Sequence, residues 1–307
     1  MQLPGKRPLD TSFGLLRDRI LLKSFCPKVF LSFCLNIQLS LPLSMRSYHN
    51  KVVWITGASS GIGEAMAREF ANQGAILVLA ARNVEKLNQL RDNLPNAEIH
   101  TVVSLDLTDL SNVDALVSSV LDQVGRVDVL VNNGGISQRS LVGETPIEVD
   151  RKIMEVNFFG AVGLTKALLP ALRETKGQII VISSISGKFG FFLRSAYAAS
   201  KHALHGFFES LALEEESNGI TVTMVCLGKI NTPISISALN ANGEQHGTMD
   251  HNQETGMSAE ECARQIIRAA RNNKPEVLIG NKEILAVYLK RFVPSIFRKI
   301  IRKQKAT

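Results

Sequence analysis

From residue 51 onward, short β-branched and apolar runs alternate with helical stretches, and this alternation limits the folds open to the chain more than any other feature. The extended runs fall at 52–56, 76–81, 99–104, 127–132, 178–184, 221–226 and 276–279. Helical patterns at 62–73, 84–93, 111–124, 146–172 and 195–217 separate them. Runs that are apolar at consecutive positions bury both faces of a sheet, so helices must cover both. The pattern predicts a doubly wound α/β domain, a parallel β-sheet flanked by helices on both faces and joined by right-handed crossovers. Gly74, Gly125 and Gly219 stand near helix ends, where a left-handed residue costs glycine little.

Residues 227–257 break the rhythm with Gly, Asn, His and Thr before Ser258 opens S-A-E-E, a capping-box pattern. A long segment after a strand's C-terminal end is placed to cover a substrate, so 227–257 is read as a lid. The domain is expected over 46–281, between an extension at 1–45 and a basic tail at 282–307.

The charge sits in those ends. Residues 1–45 carry +4 and residues 282–307 carry +7 of a formal +7, so the middle is net −4. Nucleic-acid binding needs a basic face on the folded body, and no such partner is expected. Cationic ends fit an anionic membrane surface better. Cys26, Cys34, Cys226 and Cys262 show no disulfide framework or metal spacing, which points to a reduced, cytoplasmic compartment.

The stretch 29–43 is apolar but short and interrupted, below the roughly 20 residues of a spanning helix. Three readings stand for 1–45: disorder or residues upstream of a start at Met45, a weak signal or anchor, and an ordered accessory. In the tail, Leu285, Leu289, Phe292, Ile296 and Ile300 recur at three- and four-residue steps among six Lys and Arg residues. That is the pattern of a helix lying on an anionic bilayer, bent at Pro294. It equally fits a stripe packed on a neighbouring element.

The segment V-V-W-I-T-G-A-S-S-G-I-G-E-A places Gly57, Gly61 and Gly63 between the first strand and the first helix. Glycines there allow a tight turn and close approach of a dinucleotide, whose pyrophosphate meets the helix N-terminus. After the second strand, L-A-A-R-N puts Arg82 where an acid would meet the ribose hydroxyls of NAD. Arginine pairs with a 2′-phosphate, so NADP(H) is expected over NAD(H). The competing reading is an arginine that only faces solvent.

Between Ser184 and Lys201 the chain reads S-I-S-G-K-F-G-F-F-L-R-S-A-Y-A-A-S-K. Tyr197 and Lys201 share a helix face at i,i+4. A cation beside a phenol lowers its pKa from about 10. Such a phenol can move a proton to or from a carbonyl oxygen.

With these features the chain resembles the classical short-chain dehydrogenase/reductase family over about residues 51–279. The family's turn T-G-x-x-x-G-x-G matches Thr56–Gly63, with Ser59, Ser60 and Ile62 inside it. Its acid after the third strand matches Asp106, followed by Leu107, and its N-N-A-G motif matches Asn132, Asn133, Gly134 and Gly135, with glycine for alanine. Its P-G-x-x-x-T motif appears as Leu227, Gly228 and Thr232 around Ile230, and the missing proline predicts a looser loop.

The resemblance implies a Rossmann-like fold with these residues, Tyr197 and Lys201 holding the cofactor. It implies catalysis by Asn157, Ser184, Tyr197 and Lys201. Tyr197 would exchange the proton and Ser184 would hold the alkoxide. Lys201 would lower the tyrosine pKa and bind the nicotinamide ribose, and Asn157 would position a relay water. NADP-preferring relatives often carry a basic residue where this chain has Ser60.

The implied function is an oxidoreductase interconverting a small-molecule carbonyl and alcohol, as a homodimer or homotetramer built through the helices of Asn157 and Tyr197. The alternative is a catalytically weak nucleotide-binding scaffold or sensor. Phe189, Phe191, Phe192 and Leu193 lie where the family borders its substrate cleft, which fits a hydrophobic substrate; packing is the competing explanation. His202 and His205 lack an acidic or thiol partner in sequence and read as ordinary helix residues, with no metal expected.

Overall fold

The computed structural model describes residues 47–304, so the readings of 1–45 lie outside the described residues. The strands are β1 (Val52–Thr56), β2 (Ile76–Ala81), β3 (Thr101–Ser104), β4 (Val129–Asn132), β5 (Gln178–Ser184), β6 (Thr221–Leu227) and β7 (Glu276–Ile279). They form one fully parallel sheet in the order β3-β2-β1-β4-β5-β6-β7. The helices are α1 (Gly61–Asn72), α2 (Val84–Asp92), α3 (Val113–Val124), α4 (Ile147–Met154), α5 (Gly160–Thr175), α6 (Ser195–Glu214), α7 (His251–Glu254), α8 (Ala259–Arg271), α9 (Leu285–Phe292) and α10 (Pro294–Ile301).

Both faces of the sheet are buried, as doubly apolar strands require. Val53 and Ile55 of β1 face one cluster, with Met66 and Phe70 of α1, Leu87 of α2 and Ile266 of α8. Val52 and Trp54 face the other, with Leu164 and Leu168 of α5 and Phe208 of α6. Each large side chain buried this way contributes about 1.5–3 kcal/mol.

Two boundaries differ from expectation for local reasons. β3 starts at Thr101 because the His100 ring nitrogen, not a backbone carbonyl, accepts the Leu77 N–H at 3.2 Å. The helix expected over 146–172 is not continuous, since residues Glu155–Phe159 form a π-helical turn between α4 and α5. The tail also breaks, at Val293, and Pro294 starts α10 where its missing N–H has no helical partner to lose.

Phe70 is fully buried and meets Tyr48 edge-on, ring centroids 4.9 Å apart. Phe70→Ala should therefore cost about 3–5 kcal/mol in urea unfolding, and a loss below about 1 kcal/mol would place Phe70 outside the packed core.

Candidate active site

The strand order reverses between β1 and β4, and the crevice beyond their C-terminal ends is where an open α/β sheet binds ligands. Thr56 and Asn133 tie the two ends together. The Thr56 hydroxyl donates to Val131 O (3.2 Å) and accepts from the N–H groups of Asn133 (3.0 Å) and Gly134 (2.9 Å). The Asn133 amide donates back to Thr56 O at 2.9 Å and Gly57 O at 3.2 Å.

Gly57 and Gly61 have φ of +65° and +56°, conformations that side chains resist. A Cβ on Gly63 would lie 2.2 Å from Gly57 O, so the helix can start this close to the turn only with glycine. The turn opens on a cavity of about 1040 Å³. Its wall takes Gly57, Ser59, Ser60, Gly61, Ile62, Arg82, Asp106, Leu107, Asn133, Gly134 and Thr232 from the expected cofactor set. Size, glycine cradle and helix N-terminus fit a dinucleotide.

Gly63, Gly228, Ile230, Tyr197 and Lys201 lie off that wall. Lys152, Ile136 and the lid residues 243–245 line it without having been singled out in the sequence. The glycine replacing alanine at Gly134 has a visible reason. A Cβ there would sit 2.5 Å from Leu107 Cδ1, so leucine occupies the methyl's space.

Ser184 ends β5, while Tyr197 and Lys201 lie on the first turns of α6. The Ser184 hydroxyl donates to Leu227 O at 3.3 Å and accepts from Ser186 N at 3.1 Å. Lys201 Nζ donates to Ile182 O at 2.8 Å and lies 5.8 Å from the Tyr197 ring centroid. Burial pulls the Lys201 pKa down to about 8. Burial raises the Tyr197 pKa, opposed first by the charge of Arg194, then by Ser184 and Arg139.

Asn157 sits in the π-helical turn, a local rearrangement common at functional sites. Its Oδ1 accepts from Ile136 N at 2.8 Å, and its Nδ2 donates to Ile136 O (2.9 Å) and Ser200 Oγ (3.0 Å). A Cβ on Gly135 would come within 3.1 Å of Asn157 Oδ1 and 3.7 Å of Lys201 Nζ. That glycine therefore leaves a small polar space between the two groups.

The lid is stitched down rather than loose. Leu239 N donates to Ser137 O (2.9 Å), and Arg139 N donates to Leu239 O (2.8 Å). The missing proline does not slacken the loop. Leu227 continues β6, Gly228 N reaches Ile279 O (2.8 Å), and Lys229 N reaches the Glu283 carboxylate (2.7 Å).

His205 comes near Cys226 and Glu276, but its two ring nitrogens face different partners. Nε2 meets Ser183 Oγ at 3.1 Å and Cys226 Sγ at 3.6 Å. The Lys188 ammonium stands 3.2 Å from Nδ1 and bonds Glu276. A cation already fills the place an ion would need, so the cluster reads as a charge network.

Gln138 is the residue whose role the sequence hid. It is fully buried, and its Oε1 accepts from Ala196 N at 2.9 Å, serving the exposed end of the helix that carries Tyr197. Gln138→Met should orphan that N–H, lowering stability by about 1–3 kcal/mol and reducing kcat with little change in cofactor affinity. Unchanged melting temperature and kcat would remove the helix-positioning role.

Residues 51–242 match the family model described as short chain dehydrogenase. The chain is 41% identical to dehydrogenase/reductase SDR family member 7B of Mus musculus, across 94% of each chain. It is 43% identical to the SDR family protein 7-like dehydrogenase/reductase of Anopheles gambiae, across 84% of each. The solved short-chain dehydrogenase from Streptomyces avermitilis is 31% identical, with a TM-score of 0.70 over 82% of this chain and 95% of that one. An alcohol dehydrogenase from Thermococcus sibiricus, complexed with 5-hydroxy-NADP, is 26% identical, with a TM-score of 0.66 over 76% and 97%. The chain belongs to the short-chain dehydrogenase/reductase family, oxidoreductases that act on CH–OH and C=O groups.

Proposed function

We propose that the protein interconverts a carbonyl and an alcohol on a hydrophobic substrate, with NADP(H) preferred over NAD(H). The observation that carries this is the convergence of Asn157 and Lys201 on Gly135, on the wall of the dinucleotide cavity, with Tyr197 one turn before Lys201 on α6 and Ser184 at the end of β5. NADPH, when bound, supplies the hydride. In reduction Tyr197 donates its phenolic proton to the carbonyl oxygen. Ser184, at the end of β5, donates a hydrogen bond where the alkoxide charge develops. Lys201 and Asn157 face the polar space kept by Gly135, a place for a water that returns the proton.

Arg82 supports the cofactor preference. It stands on the cavity wall, solvent-exposed, and its charge acts on Asp106 of the same wall. The neighbour complexed with an NADP analogue agrees with this reading. Phe159 and Leu213 are exposed on the helical surface formed by the π turn and α6, which supports a homodimer or homotetramer. NADPH oxidation should be followed over aldehydes and ketones of increasing chain length, with NADH in parallel. Tyr197→Phe should abolish turnover while keeping NADPH binding, and Arg82→Ala should erode the preference by about 10-fold or more. Tight NADPH binding without turnover on any carbonyl would favour the scaffold reading.

The tail supports peripheral membrane contact. No described helix is long and apolar enough to cross a membrane. α9 and α10 nevertheless expose Leu285, Tyr288, Phe292, Ile296 and Ile300, with Phe292 71% exposed, beside Lys290, Arg291, Arg298 and Lys299. Phe297 holds the tail against Phe189, centroids 5.1 Å apart. Glu283 pins the loop at Lys229, so the tail is better tested by substitution than by truncation. Phe292→Glu with Ile296→Glu should abolish co-sedimentation with phosphatidylserine-containing vesicles; unchanged sedimentation rejects the tail's role.

A further inference from the structure

Two guanidinium groups beside Tyr197 share a single carboxylate. Arg139 uses it fully. Its Nε donates to Asp250 Oδ2 at 3.0 Å, and Nη2 also bonds that oxygen. Its Nη1 donates to Ser137 Oγ at 2.9 Å and Gln138 O at 2.6 Å. The side chains of Arg139 and Asp250 are each 1% exposed.

Arg194 receives the remainder. Its Nη2 reaches Asp250 Oδ2 at 3.2 Å, and its buried Nε has no hydrogen-bond partner among the described residues. One carboxylate neutralises one guanidinium, which leaves Arg194 a surplus cation at 18% side-chain exposure. Holding such a charge away from water without a counter-ion is costly. Burial, and then the like charge of Arg139, draw its pKa down to about 10.

Arg194 also lines a cavity of about 700 Å³ between segments 140–144 and 191–195. Leu141, Val142, Phe191, Phe192 and Leu193 supply apolar walls, and the guanidinium stacks 5.4 Å from the Phe191 ring centroid. Glu144 stands on the same wall, exposed, and forms no ion pair with Arg194 among the described residues. The cavity ends at Ser195, two residues before Tyr197. A neutral apolar ligand would leave the cation unanswered. A small hydrophilic anion would leave the walls wet.

We infer that this cavity is a substrate subsite for an amphiphilic anion, with an apolar chain along the Phe and Leu walls and a carboxylate or phosphate on Arg194. The inference rests on the oxidoreductase reading above and narrows its substrate from hydrophobic to hydrophobic and anionic. Arg194 is then a specificity-determining residue, and its charge also acts on the Tyr197 phenol.

The test is calorimetric titration of the NADP-loaded protein with decanol, decanoate and decyl phosphate. At least one anion should bind about 10- to 100-fold more tightly than decanol, in line with a hydrogen bond to a charged group. Which of the two anions wins separates carboxylate from phosphate substrates. Arg194→Met should erase the preference while leaving decanol binding in place, and Arg194→Lys should keep part of it. Equal binding of all three, or a preference that survives Arg194→Met, overturns the inference. Should Arg194→Met fail to fold, Phe192→Asp, on the exposed wall, should remove the anion preference by placing a like charge there; a preserved preference would again overturn it. Anion-selective binding without turnover on any carbonyl would remove the oxidoreductase reading and leave the subsite. Turnover with no anion preference would do the reverse.

Discussion

The exchange between Thr56 and Asn133 is the constraint on which the site depends. Where β1 and β4 end, their ladders stop and leave backbone donors and acceptors at the mouth of the crevice. Buried groups of that kind must be satisfied. Thr56 answers two N–H groups of the 133–134 segment, and Asn133 answers two carbonyls of the glycine turn. The turn therefore takes its shape from the neighbouring strand and can present its amides to an anion without reorganising. The same segment continues through Gly135 and Ile136 to Gln138 and Arg139. A single loop thus reaches the glycine turn, Asn157, the helix of Tyr197 and segment 227–257.

That loop meets the helix preceding β5 where the helix is interrupted. Asn157 lies within that interruption and bonds both the N–H and the carbonyl of Ile136 while reaching Ser200. The π turn at Glu155–Phe159 is the kind of local irregularity that recurs at functional sites. Gly160 follows directly, and a Cβ there would sit 2.7 Å from Leu107 Cβ. Leu107 therefore packs into space left by two glycines, Gly134 and Gly160. The departure from the family's alanine is part of that packing.

What could be read in the sequence is what depends on neighbours along the chain. Periodicity located the strands, because runs such as V-V-W-I-T are buried on both faces and nothing local contradicts them. The capping serine at Ser258 accepts from Glu261 N at 3.2 Å as its motif predicts. Yet the Glu261 carboxylate turns to Arg264 and Gln265 instead of closing the box, a choice made by side chains one turn further on. The candidate catalytic residues Ser184, Tyr197 and Lys201 were legible because a spacing on one helix and one strand end carries them. Gln138 was not, since its partner is 58 residues away, nor was the pairing of Arg139 with Asp250 across 111. No local pattern distinguishes a glutamine that caps a distant helix from one that faces water.

Burial acts on the charges around Tyr197 in a consistent direction. It lowers the pKa of Lys201 and Arg194 and raises that of Tyr197, in each case favouring the uncharged form. Lys201 relieves its ammonium on the Ile182 carbonyl, and Arg139 relieves its guanidinium on Asp250. Arg194 alone in this group is left with one long contact and a buried N–H unanswered. Asp250 belongs to segment 227–257, Arg194 lines the apolar cavity, and the Arg139 side chain is buried against Asp250. An anion arriving with the substrate would complete the charge balance that the protein leaves one short. It would do so three residues from Tyr197, the proposed proton donor, so substrate recognition and the acidity of that phenol would share one electrostatic origin.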